Sequence, residues 1–235
     1  MAVALLSTKG ARNQGTKILI YGGSKVGKTS ALAKLHEDKP GDLLILSTEK
    51  GLMSLQDYEI PYIDISSMKD FEEAYTYVTT DPVGKQFGRI ALDSITDIAE
   101  VCLSAEKKKS SDGRQSYGNL AEIMGDFIRK FRDLPGRDIF FIAQMEKVQD
   151  ESGKLLYGPA MPGKTLTQQL PYWFDIILRL HSVKTVNEET KKEEIVRAFQ
   201  CVDDSSSIAG NRGGKLEFWE NADLGSVINK IKEAK

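Results

Sequence analysis

Apolar positions cluster into uninterrupted runs spaced along the first two thirds of the chain: within 17–21, Leu43-Leu-Ile-Leu46, 89–93 and 138–144. Runs without polar alternation predict strands covered on both faces, as in a parallel sheet. Tyr62-Ile-Asp-Ile65 reads as a further strand. Between the runs the spacing turns helical. One helix continues to about Asp38. A second carries Phe71, Ala74, Tyr75 and Val78 on one face, with Asp70 as its expected cap. A third spans about Ile95 to Lys109. The clearest amphipathic stripe is Leu120, Ile123, Met124, Phe127, Ile128 and Phe131, stopped by Pro135-Gly136.

After Met145 the texture changes. A Gly- and Pro-containing stretch runs to Pro171, and Asp175-Ile-Ile-Leu-Arg-Leu180 resumes as strand. Residues 181–186 and 194–202 then bracket the charged tip Asn187-Glu-Glu-Thr-Lys-Lys192, the pattern of an antiparallel hairpin. A tail helix is expected from near Asp223, with Leu224, Val227, Ile228 and Ile231 as its stripe. The alternation predicts an α/β fold, a mostly parallel sheet flanked by helices and extended by a C-terminal antiparallel hairpin. The expected division is an N-terminal arm (1–16), a core domain (17–220) and a tail helix (221–235).

Composition narrows the function. No apolar run approaches the roughly 18 residues of a membrane span, and the start lacks a signal-peptide pattern, so a cytoplasmic protein with no membrane partner is expected. Cys102 and Cys201 stand far apart, and His36 and His181 are the only histidines, which implies neither a disulfide framework nor a zinc site. The formal charge of −2 excludes a chain that is basic throughout. Any surface for a nucleic-acid backbone must be local.

The chemistry begins behind the first apolar run. Gly22-Gly23-Ser24-Lys25-Val26-Gly27-Lys28-Thr29-Ser30 reads G-x-x-x-x-G-K-T, followed at once by helical spacing. Strand, glycine-rich loop and helix form the setting of a phosphate-binding loop, in which backbone amides at the helix start face phosphate oxygens. Lys28 is placed to reach the β- and γ-phosphates of ATP, and the Thr29 hydroxyl to ligate Mg²⁺. Three more side chains stand at strand ends. Asp93 closes the third run and suits the metal side of the site, although a strand-end acid can also cap the next helix. Glu49 follows the second run and can orient an attacking water, or be a solvated loop residue. Gln144 ends the fourth run, where an amide can bond the γ-phosphate, or be a polar strand terminus.

In this order, lysine loop, Ser47-Thr-Glu-Lys-Gly-Leu52, Leu92-Asp-Ser94 and a strand closing on Gln144, the chain resembles the RecA-like P-loop ATPases. Within them it is similar to the compact phage-encoded Sak-type single-strand annealing ATPases. That likeness adds the Tyr21-Gly opening of the loop, Gly158-Pro-Ala-Met-Pro-Gly-Lys164 and Asn211-Arg212-Gly-Gly214, and covers about residues 15–220. It implies an ATP- and Mg²⁺-dependent ATPase acting on single-stranded DNA in annealing or recombination, in a bacterial host cytoplasm. It also implies a homo-oligomer with nucleotide between subunits, with a single-strand-binding protein as a further candidate partner. Glu49 then corresponds to the catalytic glutamate, Asp93 to the metal-side acid and Gln144 to the strand-end glutamine. Arg212 is the candidate for a cation supplied to the neighbouring subunit, with Lys215 in reserve.

The DNA-binding loops implied by the resemblance follow the Asp93 helix and the Gln144 strand. The first, 104–118, sets Lys107, Lys108, Lys109 and Arg114 against Glu106 and Asp112, with Tyr117 available for stacking on a base. The second, 146–170, carries Lys164 among charges that cancel. A lysine run closing a helix also serves the helix dipole, so charge alone does not assign DNA. Two other classes stay open: a nucleotide-gated protein-interaction module and a small-molecule phosphotransferase.

Overall fold

A computed structural model describes residues 15–48, 52–149, 152–186 and 191–233. Four apolar runs become the centre of the sheet: β1 (Lys17–Gly22), β2 (Leu43–Ser47), β4 (Arg89–Asp93) and the first half of β5 (Asp138–Gln149). With β3 (Tyr62–Asp64) and β7 (Ile176–Val186) they make six parallel strands in the order β7-β1-β5-β4-β2-β3. The expected α/β class with a mostly parallel sheet is what the chain adopts. Three antiparallel strands, β8 (Glu193–Gln200), β9 (Gly210–Asn211) and β10 (Trp219–Asn221), widen the sheet beyond β7. The expected hairpin is β7 with β8; residues 187–190 of its tip lie outside the described residues, as does most of the expected arm, 1–14.

Both faces are covered, which is why the central strands show no alternation. On one face lie α2 (Met68–Thr80), α3 (Ile95–Lys109), α4 (Gly113–Arg132) and the short α5 (Lys164–Gln169). Phe71 of α2 meets Phe127 and Phe131 of α4 with ring centroids 4.9 and 5.2 Å apart, a geometry that adds to the area they bury. On the other face lie α1 (Lys28–Asp38) and the tail helix α6 (Leu224–Lys232). Asp223 caps α6 by accepting from the Ser226 amide at 3.0 Å. The two helices touch closely at Gly225, where a Cβ would come within 2.9 Å of Asp38.

Three local expectations are corrected. The cap of α2 is Ser67, which accepts from the Asp70 amide at 3.2 Å, while the Asp70 carboxylate accepts from the Ser66 amide and hydroxyl. The segment 104–118 is not a loop: Lys107, Lys108 and Lys109 form the last turn of α3, and Arg114 and Tyr117 the first turns of α4. Asp112 caps that second helix through the Arg114 amide, so polar composition concealed a helix start. Finally, 146–170 is largely ordered, because β5 does not stop at Gln144. It runs on to Gln149 and folds back as β6 (Leu155–Ala160), followed by α5.

The end of α1 is tied to the sheet by Arg89, whose side chain is buried. It donates to the Leu35 carbonyl at 2.7 Å and to Asp38 Oδ2 at 2.5 Å. Arg89 is also the first cause of the lowered pKa of Asp38. Replacing Arg89 with Ala leaves helix and strand unjoined and is expected to cost about 3 kcal/mol of unfolding free energy in a urea titration. Because the folded Asp38 pKa is lowered, its share of stability is present above the ordinary value of 3.8 and is lost as pH falls through the folded value. An Arg89→Ala protein as stable as the parent would reject the anchor.

Candidate nucleotide-binding site

The parallel order puts the ends of β1, β4, β5 and β2 at one edge of the sheet, where ligands of such folds gather. The chain leaves β1 at Gly22 and enters α1 through Gly27, which has φ +103° and serves as the helix cap without any side-chain hydrogen bond. The first amides of α1 are therefore not covered by a capping side chain, and the first turn carries no acid, which suits an arriving anion. Lys28 folds back over the loop, donating to the carbonyls of Gly22 and Gly23 at 3.0 and 2.9 Å. Thr29 Oγ1 donates to Asp93 Oδ2 at 2.6 Å. That hydroxyl–carboxylate pair is a hard oxygen donor set of the kind Mg²⁺ uses when phosphates and waters complete its shell, so the residues fit the implied metal.

Gln144 stands beside this pair. Its side-chain amide donates to Asp97 Oδ1 at 3.0 Å, and its backbone amide to Thr96 Oγ1 at 2.9 Å. Asp97 in turn contacts the Ser94 hydroxyl, and Ser94 caps α3 through the Asp97 amide at 3.2 Å. Ser94 is joined to Asp93 by a cis peptide. A cleft of about 720 Å³ unites Lys25, Lys28, Thr29, Asp93, Asp97 and Gln144, with Leu52, Met53 and Ser54 across from the loop. Glu49 lies outside the described residues; Thr48, just before it, donates its amide to the Asp93 carbonyl at 3.1 Å.

Thr96, Asp97 and Met53 were not singled out from sequence. Ser94-Ile-Thr-Asp97 is a capping-box pattern that could have drawn attention to Asp97. No local pattern marks Met53, 80% exposed at the cleft rim.

Arg212 is not part of this cleft. It follows Asn211, which pairs with Ile176 at the start of β7, level with Ile18. The lysine loop follows Gly22, level with Leu180, at the opposite edge. The Arg212 guanidinium pairs with Asp175 at 2.6 Å, both side chains well exposed. Lys215 caps the end of α6 instead, donating to the carbonyls of Ile231 (2.9 Å) and Glu233.

Residues from the two other segments meet in a second groove, of about 840 Å³, between the first turns of α4 and the start of α5. Arg114, Tyr117 and Lys164 line it, with Gly113, Gly118 and Gly163 keeping its walls low. Gly163 has φ +88°, and a Cβ there would lie 3.0 Å from the Tyr117 ring. Lys107 Nζ stands 5.4 Å from the centroid of the same ring. Lys108 is exposed outside the groove, and Lys109 is paired with Glu106 at 2.6 Å. Burial pushes the Cys102 thiol up to about 11 and Cys201 up to about 12, so both stay protonated near neutrality.

The family model described as an AAA domain matches residues 14–212. No curated protein matches the chain. Among solved structures it is similar to an ATPase from the type III secretion system of pathogenic bacteria, at 17% identity and a TM-score of 0.46. The match covers 72% of this chain and 52% of that one, so this chain spans about half its length.

Nucleotide bound at the lysine loop stabilises the native state by mass action, about 2.7 kcal/mol at a concentration 100 times Kd. In a thermal melt with MgATP, Lys28→Ala is expected to lose that upward shift while melting like the parent without nucleotide. A full shift in the variant would remove Lys28 from the site.

Proposed function

The chain belongs to a family of AAA domains, P-loop proteins that bind and hydrolyse ATP, and from that premise we propose that it couples ATP turnover to binding of single-stranded DNA in annealing or recombination. The observation that carries this reading is the groove of Arg114, Tyr117 and Lys164. It combines two cations, a half-exposed aromatic ring and low glycine walls, the elements that bind a single strand through backbone charge and base stacking. Its rim is joined to the nucleotide cleft. Thr96 accepts from the Gln144 amide and donates to the Ala160 carbonyl at 2.8 Å, just ahead of Gly163 and Lys164.

In hydrolysis Glu49 is the proposed base, orienting water toward the γ-phosphate, with Gln144 bonding phosphate or water. Thr29 and Asp93 would hold Mg²⁺, which when bound would supply neutralising charge to the phosphates. Lys28 steadies the β- and γ-phosphates. By the same resemblance, a further cation for the transferring phosphate is expected from outside the cleft. Arg212, at the opposite edge, meets a loop only when subunits stack head to tail, which favours a homo-oligomer with nucleotide between neighbours. Its pair with Asp175 is exposed and therefore weak, so it can be exchanged for a phosphate. A phage origin, a host-cytoplasm location and a single-strand-binding protein as partner follow the same resemblance.

ATP hydrolysis measured with and without single-stranded DNA tests the proposal. Stimulation that weakens as salt rises is expected, because backbone contacts release counterions. Tyr117→Ala is expected to weaken DNA binding by about tenfold, the scale of one lost stacking contact, with basal turnover intact. Turnover indifferent to DNA would transfer the groove to a protein partner, a reading the net charge of −2 accommodates. Glu49→Gln is expected to retain ATP binding and slow hydrolysis at least about a hundredfold; unchanged hydrolysis would make Glu49 a loop residue. Mixing Arg212→Ala with Lys28→Ala subunits is expected to restore part of the activity, and its absence would count against the shared site.

A further inference from the structure

The phosphate loop has a neighbour outside the parallel core. Arg197 lies on β8, paired with Ser182 of β7, about 170 residues from the loop along the chain but beside it in space. Its Nε donates to the Val26 carbonyl at 3.0 Å. Nε, Cδ and Cζ lie 2.9, 3.2 and 3.6 Å from the point a Cβ on Gly27 would occupy. The guanidinium thus rests on the residue that closes the loop and caps α1. The strand is anchored just beyond it: Phe199 and Gln200 are fully buried, and residues 198–200 of β8 are paired on both sides. Among the described residues Arg197 forms no ion pair.

We propose that Arg197 is a positioning residue for the nucleotide, acting through Val26 and Gly27. A loop that turns its amides toward an anion must turn carbonyls elsewhere, and a carbonyl close by repels the charge the loop receives. Arg197 answers the Val26 carbonyl with a charged donor, a bond stronger than a neutral one. This fixes the left-handed Gly27 turn before nucleotide arrives and adds a cation to Lys25 and Lys28 around the polyphosphate. The contribution is to binding, because loop shape and local charge act on bound ATP and on its transition state alike.

The inference rests on ATP binding at the lysine loop and is independent of DNA, so its test contains none. Steady-state hydrolysis of MgATP is measured for the parent, Arg197→Ala and Arg197→Lys, with melting temperatures recorded without nucleotide. Arg197→Ala is expected to raise KM for ATP about tenfold, the loss of one charge-assisted contact, with kcat within about twofold. Arg197→Lys, which keeps the charge, is expected to recover part of the KM. An unchanged KM in a folded Arg197→Ala protein overturns the proposal. So does a fall in both kcat and melting temperature together with a raised KM in both variants, which would make Arg197 merely structural. Lys28→Ala in parallel identifies failure of the nucleotide site itself.

Discussion

The 2.6 Å hydrogen bond between Thr29 and Asp93 is the contact around which this molecule is organised. The two residues are 64 positions apart: Thr29 opens α1 behind β1 and Asp93 ends β4, and those two strands are not neighbours. They meet because β5 runs between β1 and β4 in register with both, Tyr21 beside Ala143 and Ile142 beside Asp93. Displacing β5 would separate the hydroxyl from the carboxylate. The inserted strand also delivers Gln144 beside them, so one topological choice brings together the helix start, the hydroxyl–carboxylate pair and the amide. Such an arrangement needs a sheet covered on both faces, since six parallel strands expose backbone and apolar side chains that only flanking helices can bury.

How far the sequence foretold this depends on the range of the interaction. The strands were legible because complete burial leaves an apolar run, and the loop because G-x-x-x-x-G-K-T has a specific steric reason. An end of apolar pattern is not an end of structure. At Gln144 the run stops, yet the strand continues five residues to Gln149, because beyond that point it leaves the covered sheet and pairs only with β6. Exposure changes the pattern without changing the backbone. Exposure likewise conceals the start of α4, where Asp112 through Ser116 is polar because it is a capped, largely solvated helix turn. Asp97 was legible in principle from its capping box. Arg197 was not: its role arises from the register of an antiparallel extension remote in sequence, and its own surroundings, Glu-Glu-Ile-Val-Arg, describe only a strand.

Charge is distributed more economically than its total suggests. Many of the cations that looked available in the sequence already serve the fold. Arg89 holds the end of α1, Lys109 is bound to Glu106, Lys215 covers the end of α6 and Lys232 pairs with Asp138 at 2.6 Å. Other cations gather in the nucleotide cleft, with Lys25 and Lys28, and in the groove, with Arg114 and Lys164. A chain of net charge −2 can therefore still present local positive potential, because carboxylates elsewhere set the total without screening a surface more than a Debye length away.

The nucleotide loop is held from two sides that differ in kind. On the Asp93 side the supports are buried strands and a capped helix. On the Arg197 side the support is a two-stranded ribbon whose residues 193–197 are exposed, with Val183, Val186, Ile195 and Val196 facing solvent. A ribbon without a covering layer has fewer contacts to lose and opens more readily than the core beside it. The loop is thus backed by the buried core on the Asp93 side and by an exposed ribbon, joined to it through Arg197, on the other. This division follows from where the antiparallel extension joins the sheet: at β7, adjacent to the strand that carries the loop, so that an exposed ribbon borders the phosphate loop.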